Sequence, residues 1–219
     1  MFLSIYSLVQ PVAEPGRITS WFDLIMKGGV IMIPIFLLSF ITVYLFIERY
    51  FYVQRVTSIN PVIVQSVIQE LNEGNLNKAK VFAQSDQSSI GRIIESGLVR
   101  IGRPVTEIES NLESATNLEI TKMEKNTGYL GIIAGVAPML GFIGTISGII
   151  KIFYSISLAD NISIGIISEG LYQKMICSGT GLIVGVIAYS AYHILQMKID
   201  RYTINVQENL IKLLNALYK

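Results

Sequence analysis

Three runs without an ionised side chain, Gly28 to Ile47, Asn126 to Ile150 and Met175 to Met197, constrain this chain more than any other feature of it. A bilayer's hydrocarbon core takes about 20 apolar residues of helix to cross. Inside it, helical backbone bonding satisfies each polar group within its own segment. All three runs are long enough, so the sequence predicts an all-α membrane protein with three transmembrane helices. The composition agrees, since 51% of the 219 residues are apolar and only 15% are charged, unusual for a soluble domain of this size. Met1 to Gln10 is apolar but too short to span. It lacks the basic flank of a signal peptide and is expected at the membrane surface.

Orientation follows from the basic residues. Between Arg49 and Lys125 stand Arg49, Arg55, Lys78, Lys80, Arg92, Arg100, Arg103, Lys122 and Lys125, and the tail adds Lys198, Arg201, Lys212 and Lys219; the N-terminal segment has only Arg17 and Lys27. The expected order is a periplasmic N-terminal segment (1–27), a first span (28–50), a cytoplasmic helical domain (51–125), a second span (126–154), a periplasmic turn (155–163), a third span (164–197) and a cytoplasmic C-terminal helix (198–219). A net charge of +1 with no Lys/Arg cluster argues against nucleic-acid binding. Lone Cys177 reads as a small buried apolar side chain.

Local signals place helices in the cytoplasmic segment. Asn60-Pro61 reads as a cap and first helical residue, Glu73-Gly74-Asn75 as the end of one helix and the cap of the next, and Ser88 to Arg100 as another helix. From Pro104 onward Ile108, Leu112, Ala115 and Met123 recur at near-helical spacing with no clear breaker before Gly128. This predicts one long helix continuing into the second span. The third span is likewise expected to run on through Leu217.

Inside the membrane, small residues recur four apart: Gly131 and Gly135, Ala137 and Gly141, Gly144 and Gly148 in the second span, and Gly181 and Gly185 in the third. Such spacing lets helix backbones approach closely where lipid gives no hydrophobic drive for association, and Pro138 removes one helix donor. Counting from a turn centred near Asn161 puts Thr145 and Ser178 at one depth, where two hydroxyls could line a polar conduit. The intramembrane ionisable groups are Lys151, Glu169 and Lys174, each costly enough to be a functional candidate. Lys151 can reach Glu169, and Lys174 falls about 40° from Ser178 on the helix. Neither Asn126 to Ile150 nor Met175 to Ala191 contains Asp, Glu or His, so a proton path here needs a carboxylate from another chain. His193, between Tyr189 and Tyr192, reads as interfacial packing.

The segment Ala137-Pro138-Met139-Leu140-Gly141-Phe142-Ile143-Gly144-Thr145-Ile146-Ser147-Gly148 resembles the second-span signature of the MotA/TolQ/ExbB proton-channel family. Gly181 to Tyr189 is similar to its third-span counterpart, and Glu48-Arg49 to its acid–arginine pair. Three spans and one large insert look more like ExbB and TolQ than MotA. The resemblance implies an inner-membrane homopentamer whose second and third spans enclose a pore. Thr145, Ser178, Gln173 and Lys174 would face that pore, with Gln173 standing where many members carry glutamate. It implies a single-span ExbD/TolR-like partner supplying a protonatable aspartate, and a TonB-like energy transducer. No cofactor or metal is expected.

Three functions compete at this point. They are a proton-driven motor subunit serving a TonB or a Tol system, a non-conducting membrane scaffold, and an intramembrane enzyme. The last has no His-Glu-x-x-His, Asp pair or Ser-His pairing behind it, and the chain is expected not to be an enzyme.

Overall fold

The computed structural model describes residues 29–58, 61–86, 88–158 and 164–217. Among them are seven helices: α1 (Met32–Val56), α2 (Pro61–Asn72), α3 (Leu76–Ser85), α4 (Ser89–Leu98), α5 (Val105–Glu124), α6 (Thr127–Leu158) and α7 (Ile164–Leu217). The protein is an all-α membrane protein. Helices α1, α6 and α7 are long and apolar enough to cross a bilayer. Each buries one face and leaves large apolar side chains uncovered on another, among them Phe40, Tyr44, Ile132, Met139, Phe142, Ile183 and Ile187. That pattern suits lipid or neighbouring helices, not water.

The chain divides into two compact units. One comprises Met1–Phe36 and Pro138–Leu182, in which the start of α1 and facing parts of α6 and α7 pack through small residues. The other comprises Leu37–Ala137 and Ile183–Lys219, where α2 packs on α3, α3 on α4 and α4 on α5. Its apolar core gathers Val53, Val64, Val67, Ile90, Ile93, Ile94, Leu98, Leu112, Met123, Ile199 and Leu213. Helix α4 is amphipathic because Ile90, Ile93, Ile94 and Leu98 fall on one face. Gly97 lets Leu112 close in, since a methyl group there would meet Leu112 Cδ2 at 2.6 Å.

The short helices begin and end near their predicted signals, although Asn75 stands at the N-cap position of α3 without a side-chain capping hydrogen bond. Gly74 takes φ +77 between α2 and α3, a conformation glycine adopts without steric cost. Ser88 caps α4, its Oγ accepting from Gly91 N at 3.4 Å. The cap expected at Asn60 and the surface segment expected over Met1 to Gln10 lie outside the described residues.

One expectation fails. No single helix joins the insert to the second span: α5 stops at Glu124 and α6 begins at Thr127. The break is Asn126 at φ +67, and Asn enters that left-handed region more readily than most residues. Arg49, buried at 6% exposure, donates from Nη1 to Lys122 O at 3.5 Å, placing a cation against the carbonyl end of α5. Helix α7 does run unbroken for 54 residues, far beyond the length needed to cross a bilayer, as expected of a span that continues into a C-terminal helix.

A buried charged group anchors α5. Glu119 is 4% exposed, and its carboxylate accepts from Arg92 Nη2 and from Lys122 Nζ, the latter at 2.6 Å. Burial alone raises its pKa, but the hydrogen bonds from Arg92 and Lys122 outweigh that and hold it down to about 2. The folded-state value lies below the ordinary 4.5, so this stabilisation is complete above that pH and is lost as pH falls toward about 2. Its size is about 2 kcal/mol once the half-exposed partners are allowed for. Glu119→Gln is therefore expected to melt at a lower temperature than the unsubstituted protein at pH 7. The gap should narrow steadily in circular-dichroism melts as pH falls from 4.5 toward about 2; a constant gap across that range would refute the linkage.

Candidate functional site: a glycine-seated helix pair

The functional candidates fall mainly where α6 meets α7. Gly141, Gly144 and Gly148 are buried one turn apart along α6, and each seats a different part of α7. A methyl group at Gly141 would come within 3.1 Å of Cys177 O and of Ser178 Cα and O. One at Gly144 would stand 2.6 Å from Cys177 Sγ, and one at Gly148 would overlap the Lys174 side chain, with Cε at 1.9 Å. The absence of side chains at these positions thus sets the helix register. Further along, Gly170 of α7 lies against Ile152 of α6.

This register corrects the shared depth expected for the two hydroxyls. Thr145 Oγ1 donates to Gly141 O in its own helix at 3.1 Å and to Lys174 O across the pair at 3.3 Å. Thr145 is therefore level with Lys174, and Ser178 with Gly141. The two residues are staggered by about 6 Å, close to one turn. Counting outward from the turn assumed symmetric helix ends, whereas the glycine seats fix the register.

Lys174 lays its aliphatic stem over Gly148 and brings Nζ within 3.9 Å of the position a methyl group would take at Gly29. The apolar stem is thereby covered while the ammonium is carried along the helix pair. Lys151 is exposed. The side chains of Glu169 and Gln173 lie outside the described residues, and with them the proposed ion pair and the glutamine at the glutamate position.

The remaining glycines divide. A methyl group added at Gly131 would meet the Tyr192 ring at 3.8 Å, whereas one at Gly135 or Gly179 would have no atom within 4 Å; Gly181 and Gly185 are buried. Pro138, half-buried, sits within a continuous α6. His193 stacks edge-on with Tyr189 (4.2 Å between centroids) and Tyr192 (5.2 Å), the packing the tyrosine-rich setting predicts. Glu48 and Arg49 pair at 2.8 Å, and Arg49 lies over the Tyr52 ring at 5.2 Å. Lys198 Nζ stands 3.6 Å above Tyr50. Among the described residues no cluster of His, Cys, Asp or Glu could hold a metal.

Residues 85–208, more than half of the chain, match the MotA/TolQ/ExbB proton channel family. The chain belongs to this family. Among its relatives, an ExbB homologue of Methanothermobacter thermautotrophicus is 30% identical over 183 residues, 81% of this chain and 63% of that protein. TolQ of Haemophilus influenzae is 29% identical over 86 residues, 39% of this chain and 38% of TolQ. ExbB of Salmonella typhimurium is 26% identical over 80 residues, 36% of this chain and 33% of ExbB. This chain thus spans less than two thirds of the length of the archaeal relative. The family match begins at Ser85 and includes α4, α5 and Glu119, which no sequence motif singles out. Glu119 shares a buried stripe with Ile108, Leu112, Thr116 and Met123, and an acid at that spacing was the available signal.

Proposed function

We propose that this protein is the ring-forming subunit of an inner-membrane proton channel, with its N-terminus periplasmic and its C-terminus cytoplasmic. With an ExbD-like single-span partner it couples proton-motive force to TonB-dependent outer-membrane transport. The observation that carries this reading is a chemical gap inside a proton-channel family member. The charge-free run of α6 and the stretch from Met175 to Ala191 hold no Asp, Glu or His, so the titrating carboxylate comes from the partner. The ring is taken to be a homopentamer. Gly135 and Gly179, with space above them, are positions where another helix can approach. Thr145 and Ser178 then serve successive positions along a proton path, with Gln173 and Lys174 at its mouth. A Tol-type system with a TolR-like partner uses the same chemistry.

A scaffold that conducts nothing is the competing reading. It draws on the Thr145 hydroxyl, which already spends its proton on two backbone carbonyls. Reconstitution separates the two. In liposomes carrying a pH gradient, this chain alone is expected to leak protons at the rate of empty vesicles, and the chain with its co-expressed partner at least about ten times faster. Equal flux with and without the partner would defeat the carboxylate argument, and no flux from the intact complex would favour the scaffold.

A further inference from the structure

A cleft of about 620 Å³ opens between the end of α1, the start of α4 and the last turn of α5; Tyr52, Arg55, Asp86, Ser88, Arg92 and Lys122 line it. Its charges do not cancel. Asp86 is committed locally, Oδ1 accepting from Ser88 N at 2.9 Å and Oδ2 from Ser88 Oγ at 2.6 Å. Behind the wall, Glu119 takes Arg92 and Lys122. Three cations therefore meet two carboxylates. Arg55, exposed at the rim, has no carboxylate within 4 Å among the described residues.

Two further observations say what fits. The apolar run of α1 ends at Ile47, and Arg55 follows eight residues later, about 12 Å along the helix. A long side chain there reaches back toward the headgroup layer, which extends roughly 5–8 Å beyond the hydrocarbon core. Lys122 likewise stands just before α6 enters its span. Phe40, Tyr44, Ile47 and Phe51 are exposed at spacings of four, three and four residues, and Arg55 continues that stripe. An uncovered apolar track thus leads along α1 to a guanidinium that meets no carboxylate among the described residues.

We propose that this cleft binds the phosphate of an anionic phospholipid, with Arg55 as its principal ligand, Lys122 and Tyr52 beside it, and the acyl chains lying along the Phe40–Phe51 stripe. A guanidinium suits a phosphate because it offers paired N–H donors in one plane. The inference rests on α1 being embedded in the membrane, not on the proton pathway. Lipid retention is read without any flux measurement, so either proposal can fail alone.

The test uses the full-length complex in detergent, incubated with phosphatidylglycerol or phosphatidylcholine and analysed by native mass spectrometry. The unsubstituted protein is expected to retain phosphatidylglycerol at least about five-fold more than phosphatidylcholine. Arg55→Gln should lose roughly that factor, since a basic side chain at a membrane surface is worth about 1 kcal/mol, with an unchanged melting temperature. Arg55→Lys should recover part of it. Equal retention of the two lipids would overturn the proposal, as would undiminished phosphatidylglycerol in Arg55→Gln. Release of the lipid by millimolar inorganic phosphate would assign the cleft to a soluble anion instead. Exclusion of lipid from the assembled complex would mean that a second copy covers the stripe, and would also overturn it.

Discussion

Replacing Thr145 by Val together with Ser178 by Ala is expected to lower proton-coupled activity of the reconstituted complex by about 100-fold or more, the low end of what a lost proton-transferring group costs. The same pair should leave the protomer close to its original stability. Thr145 makes one shared hydrogen bond to Gly141 O and Lys174 O, and such bonds between membrane helices contribute on the order of 0.6 kcal/mol. Valine keeps the shape, and its methyl group fills the place of the hydroxyl. Ser178 meets Gly141 through its backbone, so loss of the hydroxyl oxygen leaves that contact in place. Activity and stability are thus predicted to separate, which a purely structural hydroxyl would not allow. Flux is measured by a pH-sensitive dye in liposomes, and assembly by native mass measurement. Full activity in the double variant, or a loss of activity in proportion to a loss of assembled complex, would remove these hydroxyls from the proton path. Single substitutions carry the second half of the argument. On the proposed path the two residues, staggered by about one turn, would act in sequence, and either substitution alone should interrupt it.

The spans and several helix boundaries were legible from local chemistry. Charge-free runs gave α1, α6 and α7 because a bilayer selects on length and polarity, both of which are local properties. Gly74 and Ser88 marked helix ends because turns and caps are local too. Two things were not legible, for different reasons. The end of α5 depends on one residue, Asn126, adopting positive φ, a conformation that Asn tolerates but does not announce in a run otherwise suited to helix. The depth relation of Thr145 and Ser178 depends on how two helices settle against each other, which the glycines permit without specifying. Only the contacts of Gly141, Gly144 and Gly148 with Ser178, Cys177 and Lys174 fix that register. The buried Glu119 was hidden by its company, since it is one acid among several on α5. Its neighbours face water, while it falls on the stripe of Leu112 and Met123.

Those same contacts make the glycines of α6 unequal, although their spacing in the sequence is uniform. Gly144→Ala is expected to destabilise the protomer by about 2 kcal/mol, the range for forcing an extra carbon into a packed site. The new methyl group would meet Cys177 Sγ at 2.6 Å and Ile31 Cγ2 at 3.4 Å. Cys177 is fully buried and short, so α7 itself has to move. The nearest atoms to a methyl group in Gly148→Ala all belong to the Lys174 stem, a flexible chain that can swing aside; it should cost less but displace the ammonium. Gly135→Ala meets nothing within 4 Å and gains helix propensity, so the protomer should be unchanged or slightly more stable. Thermal melts in one detergent would rank the three, and an equal loss at Gly135 and Gly144 would show that spacing, not seating, governs these positions. The decisive extension is Gly135→Leu. If the open face at Gly135 is where another chain packs, a bulky residue there should leave the monomer's melt intact while the assembled mass disappears. Retention of the full assembly would assign that face to lipid.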